Sequence, residues 1–139
     1  MKELIEKLHA GGYSCVIANG DCIRTFTQRG VADLYDLLVQ DADFLKGASV
    51  ADKVIGKAAA SLMVLGGVKE VYTHTISQPA LLLLQEAGIN VSYDEAVHHI
   101  INRDKTGWCP LEQASRDLHS PQDIFPVIEN FISNLRKKA

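Results

Sequence analysis

The stretch from Glu70 to Tyr93, EVYTHTISQPALLLLQEAGINVSY, admits few folds. EVYTHTI is rich in β-branched and aromatic residues and reads as a strand, and INVSY reads as another. Between them QPALLLLQEAG has Pro79 near its start and Gly88 beyond its end, the asymmetry expected of a helix. A strand, a helix and a strand in this order form a β-α-β unit, whose two strands run parallel through a right-handed connection. A parallel pair is covered on its faces, so Leu81–Leu84 is expected to lie on a sheet inside a layered α/β domain.

The segments before this unit add a hairpin and helices. Leu4, Ile5 and Leu8 give a short amphipathic helix that stops at Gly11 and Gly12. YSCVIA and DCIRTFT flank Asn19-Gly20, the pair suited to a type I′ turn. This register sets Cys15 opposite Arg24 and Cys22 opposite Ile17. The thiols become diagonal neighbours, a geometry unsuited to a disulfide. Val31, Leu34, Leu37, Leu38 and Val39 line one face of a helix that breaks near Lys46-Gly47. Ser49-Val50-Ala51-Asp52 reads as a capping box that opens an apolar helix from Val50 to Leu65, ending at Gly66-Gly67. On that helix Lys53 and Lys57 stand four residues apart on one stripe.

After the β-α-β unit, residues 97–102 fit a strand or a helix equally well. Cys109-Pro110 opens a short helix to about Leu118, and a last amphipathic helix spans about 121–137, with Phe125, Ile128, Phe131, Ile132 and Leu135 inward. The expected architecture is a single domain over 1–139, a three-layer α/β/α sandwich around a central mixed sheet. With 47% hydrophobic residues the chain can fill such a core. Its net charge of -3 encodes no footprint for long nucleic acid, and no apolar run approaches a membrane span. Three scattered cysteines and no charged-then-apolar leader before the first helix point to a reduced, cytoplasmic setting.

The lysine pair is the first feature that asks for a partner. Two ammonium groups on one stripe of a buried helix repel, so something negative belongs beside them: a carboxylate of the fold, or an anionic ligand near the helix start. Cys109, at a cap position before Pro110, lies where the helix dipole favours thiolate, although a lone cysteine is more often packing material. Glu112 suits the same dipole without any further role. His74 reads first as a satisfied structural histidine in a strand, but with Thr75 and Ser77 it lies near the carboxyl end of that strand, where open α/β sheets bind ligands. No metal site is signalled. C-x-x-C and H-x-x-x-H are absent, and a set such as His74, His99 and Cys109 has no supporting spacing.

The ordered combination ADKVIGKAAASLM, VYTHTISQPALLLL and NRDKTGWCPLE resembles a small family of prokaryotic proteins, the domain of unknown function DUF1893, assigned to the cytidine deaminase-like fold. The resemblance covers roughly Leu4 to Leu118 and implies a mixed sheet with helices on both faces. Zinc deaminases of that fold open one core helix with H-x-E or C-x-E and the next with P-C-x-x-C. Here GKAAAS and SQPALL stand in those places and contain no His, Cys or Glu; this departure removes the usual zinc site, and a zinc-independent protein without a cofactor is expected.

These readings converge on one expectation: a crevice between two helix starts, with Asp52, Lys53 and Lys57 on one side, Thr75 and Ser77 on the other, and Cys109 close by; His74 and Glu112 complete the candidate ligand-binding residues. It would hold a small anionic or nucleotide-like molecule through the lysines. Lys57 and Cys109 are the residues to carry any catalysis, with Cys109 as nucleophile or acid-base group. The alternatives are a non-catalytic interaction or regulatory module with a decayed pocket, and a thiol-based redox protein. A sheet edge and the apolar terminal helix suggest a homodimer.

Overall fold

The computed structural model describes residues 2–27, 31–98, 117–118 and 120–138. Helix α1 (Lys2–Gly11) buries Leu4 and Leu8. Strands β1 (Cys15–Asn19) and β2 (Cys22–Phe26) form the hairpin; α2 (Ala32–Gln40) and α3 (Ala42–Leu45) follow, separated at Asp41. Then come β3 (Ser49–Ile55), α4 (Lys57–Gly66), β4 (Glu70–Ser77), α5 (Gln78–Glu86) and β5 (Asn90–Val97), and the chain closes with α6 (Pro121–Lys138).

The sheet order is β2-β1-β3-β4-β5. β1 is antiparallel to both β2 and β3, whereas β3, β4 and β5 are mutually parallel. Helix α1 covers one face, where Leu4 and Leu8 meet Val16, Ala51 and Tyr72. The other face carries the main core, joining Ile17, Val50 and Val71 to buried residues of α2–α5 and to Ile124, Ile128 and Ile132 of α6. This is the expected three-layer α/β/α sandwich with a mixed central sheet. The β-α-β unit is present with parallel strands, and Ser77 caps its helix by accepting a hydrogen bond from the Ala80 N–H at 3.3 Å. Helix α6 is clamped to α2 by stacking of Phe125 on Tyr35 and by a two-pronged Arg136–Asp36 pair at 2.9 Å.

Two expectations are corrected. Ser49–Ile55 is not the start of a helix but the central strand of the sheet. The Ser49 hydroxyl, assigned above to a capping box, donates instead to Glu70 Oε1 across the strand pair at 2.7 Å. The strand was masked because Val50 and Ala51 are buried on opposite faces, which erases the alternation that identifies a half-exposed strand. The helix is shorter and begins at Lys57, after Gly56.

The hairpin register is also shifted. Asn19 pairs with Cys22 and Cys15 with Phe26, so the turn residues are Gly20, at φ +60°, and Asp21. Asn19 is held in the strand by its side-chain amide, which donates to the carbonyls of Phe44 at 2.9 Å and Lys46 at 3.0 Å. The two thiols thus sit at opposite ends of the hairpin. Cys15 is buried and Cys22 exposed, and both are free.

Candidate functional site

Strand periodicity distributes the expected site residues over both faces of the sheet. Val50 and Val71 point into the main core, so Asp52 and Thr73, two residues further on and paired with each other, share that face. Cys15 is the partner of Asp52 on the antiparallel side. A polar row Cys15–Asp52–Thr73 therefore crosses three strands on the face that α4 and α5 cover. Ala51 and Tyr72 point the other way, against α1, and Lys53 and His74 follow them. Lys53 is exposed there. The single stripe carrying Lys53 and Lys57 does not exist, because a strand and a helix meet between them.

Lys57 remains where a ligand site was expected. It occupies the first position of α4, directly after the carboxyl end of β3, and is only 5% exposed. A charged residue this deep is ordinarily paired, and Lys57 is not without a partner. The cap position of α4 is Gly56, which has no side chain to satisfy the first N–H groups. At the neighbouring helix start, Ser77 is fully buried and engaged as the α5 cap. Thr75 is half-buried and its carbonyl accepts the Thr73 hydroxyl at 3.1 Å. Cys109 and Glu112 lie outside the described residues, as does His99.

Sequence reasoning missed the pairing of Cys15 with Asp52. Burial pushes the Asp52 carboxyl up from 3.8 to about 7; the N–H groups of Val54 and Lys53 and the Cys15 thiol oppose this, and the charge of Asp33 adds to it. The Val54 N–H donates to Oδ1 at 3.4 Å. The Cys15 thiol is driven well above its ordinary range, first by burial and then by the Asp52 and Asp33 charges. It is a protonated donor, the opposite of an activated nucleophile. Asp52 is the chemically distinctive group: a carboxyl that gains and loses its proton near neutrality. Only the register of β1 against β3 brings it to Cys15, and no local pattern encodes that pairing.

On the α1 face, Asp94 Oδ2 accepts from the Tyr72 hydroxyl at 2.6 Å and lies 3.1 Å from His74 Nδ1. These two bonds, with His74 and His9 nearby, hold the Asp94 carboxyl below its ordinary range. Among the described residues no group of three or more His, Cys, Asp or Glu side chains is placed to hold a metal ion. No helix of the described residues is long and apolar enough to cross a membrane.

The protein is thus a mixed α/β sandwich domain with a buried lysine at a helix start and a proton-exchanging aspartate on the same face of its sheet. It belongs to the family described as TM1506: Domain of unknown function (DUF1893), whose model matches residues 3–132. The crystal structure of a DUF1893 family protein (TM1506) from Thermotoga maritima at 2.70 Å resolution is similar to it, with 26% sequence identity and a TM-score of 0.85. The match covers 93% of this chain and 87% of that chain. No curated protein matches the chain.

Proposed function

We propose that this chain is a zinc-independent, cytidine deaminase-like domain that binds a small anionic, nucleotide-like molecule at the carboxyl ends of β3 and β4. The observation that carries the reading is Lys57, a buried lysine in the first turn of a helix whose glycine cap supplies no side chain. The helix dipole and the free N–H groups act there in the same direction as the ammonium. The sheet order, with β1 antiparallel and two helices starting at adjacent parallel strand ends, supports the fold assignment. Asp52 supplies a group able to donate or accept a proton near neutral pH should the bound molecule react. Cys109 stays in this proposal as the candidate nucleophile, the setting is cytoplasmic, and the assembly is a homodimer.

The test is a thermal-shift panel of nucleosides, nucleotides and small phosphates, run with and without added zinc. A ligand present at about 100 times its dissociation constant stabilises the fold by roughly 2.7 kcal/mol. The expected result is a zinc-independent shift that Lys57→Met abolishes, while no shift from any compound overturns the reading. The rival reading is a non-catalytic module, favoured by the fact that Lys57 is not without a partner. Under it Lys57→Met leaves every binding assay unchanged.

A further inference from the structure

We infer that Lys53, His74 and Asp94 form a second binding site, on the opposite face of the sheet from Lys57, for a small oxyanion that also carries an O–H group. The register Asp52↔Thr73 and Val54↔Thr75 sets Lys53 beside His74, and Thr73↔Tyr93 with Thr75↔Glu95 sets His74 beside Asp94. Adjacent strands lie about 4.8 Å apart, so three polar side chains form one row across the parallel strands. Helix α1 packs Leu4 and Leu8 over Val16, Ala51 and Tyr72, and the three residues of the row are left exposed. The His74 and Asp94 side chains are 58% and 51% exposed, and Ser92 beside them is exposed as well. The result is a ledge: α1, with His9 edge-on to Tyr72, forms the wall, and the row forms the floor.

The hydrogen bonds on this ledge specify the ligand. An ionised carboxylate only accepts, so Asp94 takes the Nδ1–H of His74, and in the neutral ring this tautomer has its lone pair on Nε2. Tyr72 fills the same carboxylate oxygen and locks its orientation. Among the described residues neither Nε2 of His74 nor the Lys53 ammonium has a partner. One strand apart, they present a cation and an acceptor together. Hydrogen phosphate matches both, with a charged oxygen for Lys53 and an O–H for Nε2, as does a hydroxycarboxylate. Sulfate matches only the cation. The inference does not depend on the crevice at Lys57.

The test is an NMR titration of the ¹⁵N-labelled chain at neutral pH and constant ionic strength, with inorganic phosphate in one arm and sulfate in the other. Phosphate is expected to shift the amides around Lys53, His74 and Asp94, with sulfate roughly tenfold weaker. Lys53→Met and His74→Ala, both at exposed positions, should each weaken phosphate by about the same factor. Equal affinity for the two anions, shifts confined to the starts of α4 and α5, or unaltered binding by both ledge variants would overturn it. Shifts at α4 and α5 report on the Lys57 crevice, so the two readings fail separately.

Discussion

Asp52 makes the stability of this protein fall as pH rises, and Asp52→Asn should remove that fall. The carboxyl is pushed from 3.8 to about 7, chiefly by burial. A group whose pKa is raised by folding binds its proton more tightly in the native state. Its contribution is therefore complete below the unfolded value and disappears as pH climbs through the folded one. The window runs from about pH 4 to pH 7, and at about 1.36 kcal/mol per pH unit the full swing approaches 4 kcal/mol. Asparagine mimics the neutral carboxyl and keeps an oxygen for the Val54 N–H. The assay is urea unfolding of both proteins across this window, comparing midpoints at constant slope. The two should be about equally stable near pH 4, and the variant more stable near pH 8 by roughly 3–4 kcal/mol. Parallel stability curves, or a variant that loses ground as pH rises, would refute the reasoning.

Three further outcomes test the local architecture. Asn19→Ala removes both donors to the Phe44 and Lys46 carbonyls and should lower urea stability by about 1–3 kcal/mol. Ser77→Ala deletes the α5 cap and should cost about 1 kcal/mol in the same assay. A colorimetric thiol reagent should modify exposed Cys22 quickly and Cys15 only on unfolding, because burial and the Asp52 charge keep the latter thiol protonated.

The parts of the fold legible in the sequence are those with a local cause. Pro79 and Gly88 bracket α5, the Leu4 and Leu8 spacing marks α1, and the inward residues of α6 recur at helical intervals. The errors arose where a distant partner decides. Asn19 is taken out of the turn by the carbonyls of Phe44 and Lys46, at the end of α3, and shifts the hairpin register by one residue on each strand. Ser49 is claimed by Glu70 on a neighbouring strand and so does not cap a helix. The candidate site suffered most, because it lies at the junction where β3 ends and α4 begins.

That junction determines whether two lysines belong to one site or two. A helix places residues four apart on one face, so a helix beginning at Val50 would merge Lys53 and Lys57. The strand sends Lys53 to the α1 face, exposed, while Lys57 is buried at the start of a helix packed on the opposite face. The consequence can be measured through additivity. Substitutions further apart than about 7–10 Å with no shared partner add to within about 0.5 kcal/mol, whereas repelling neighbours on one stripe are coupled. Lys53→Met should change stability little, since an exposed lysine away from special features contributes within about 0.5 kcal/mol. Lys57→Met acts on a buried, partnered group, and its effect should be the same in either background. An interaction free energy well above that bound in the double-variant cycle would place both ammonium groups in one field, and the division into two faces would fall.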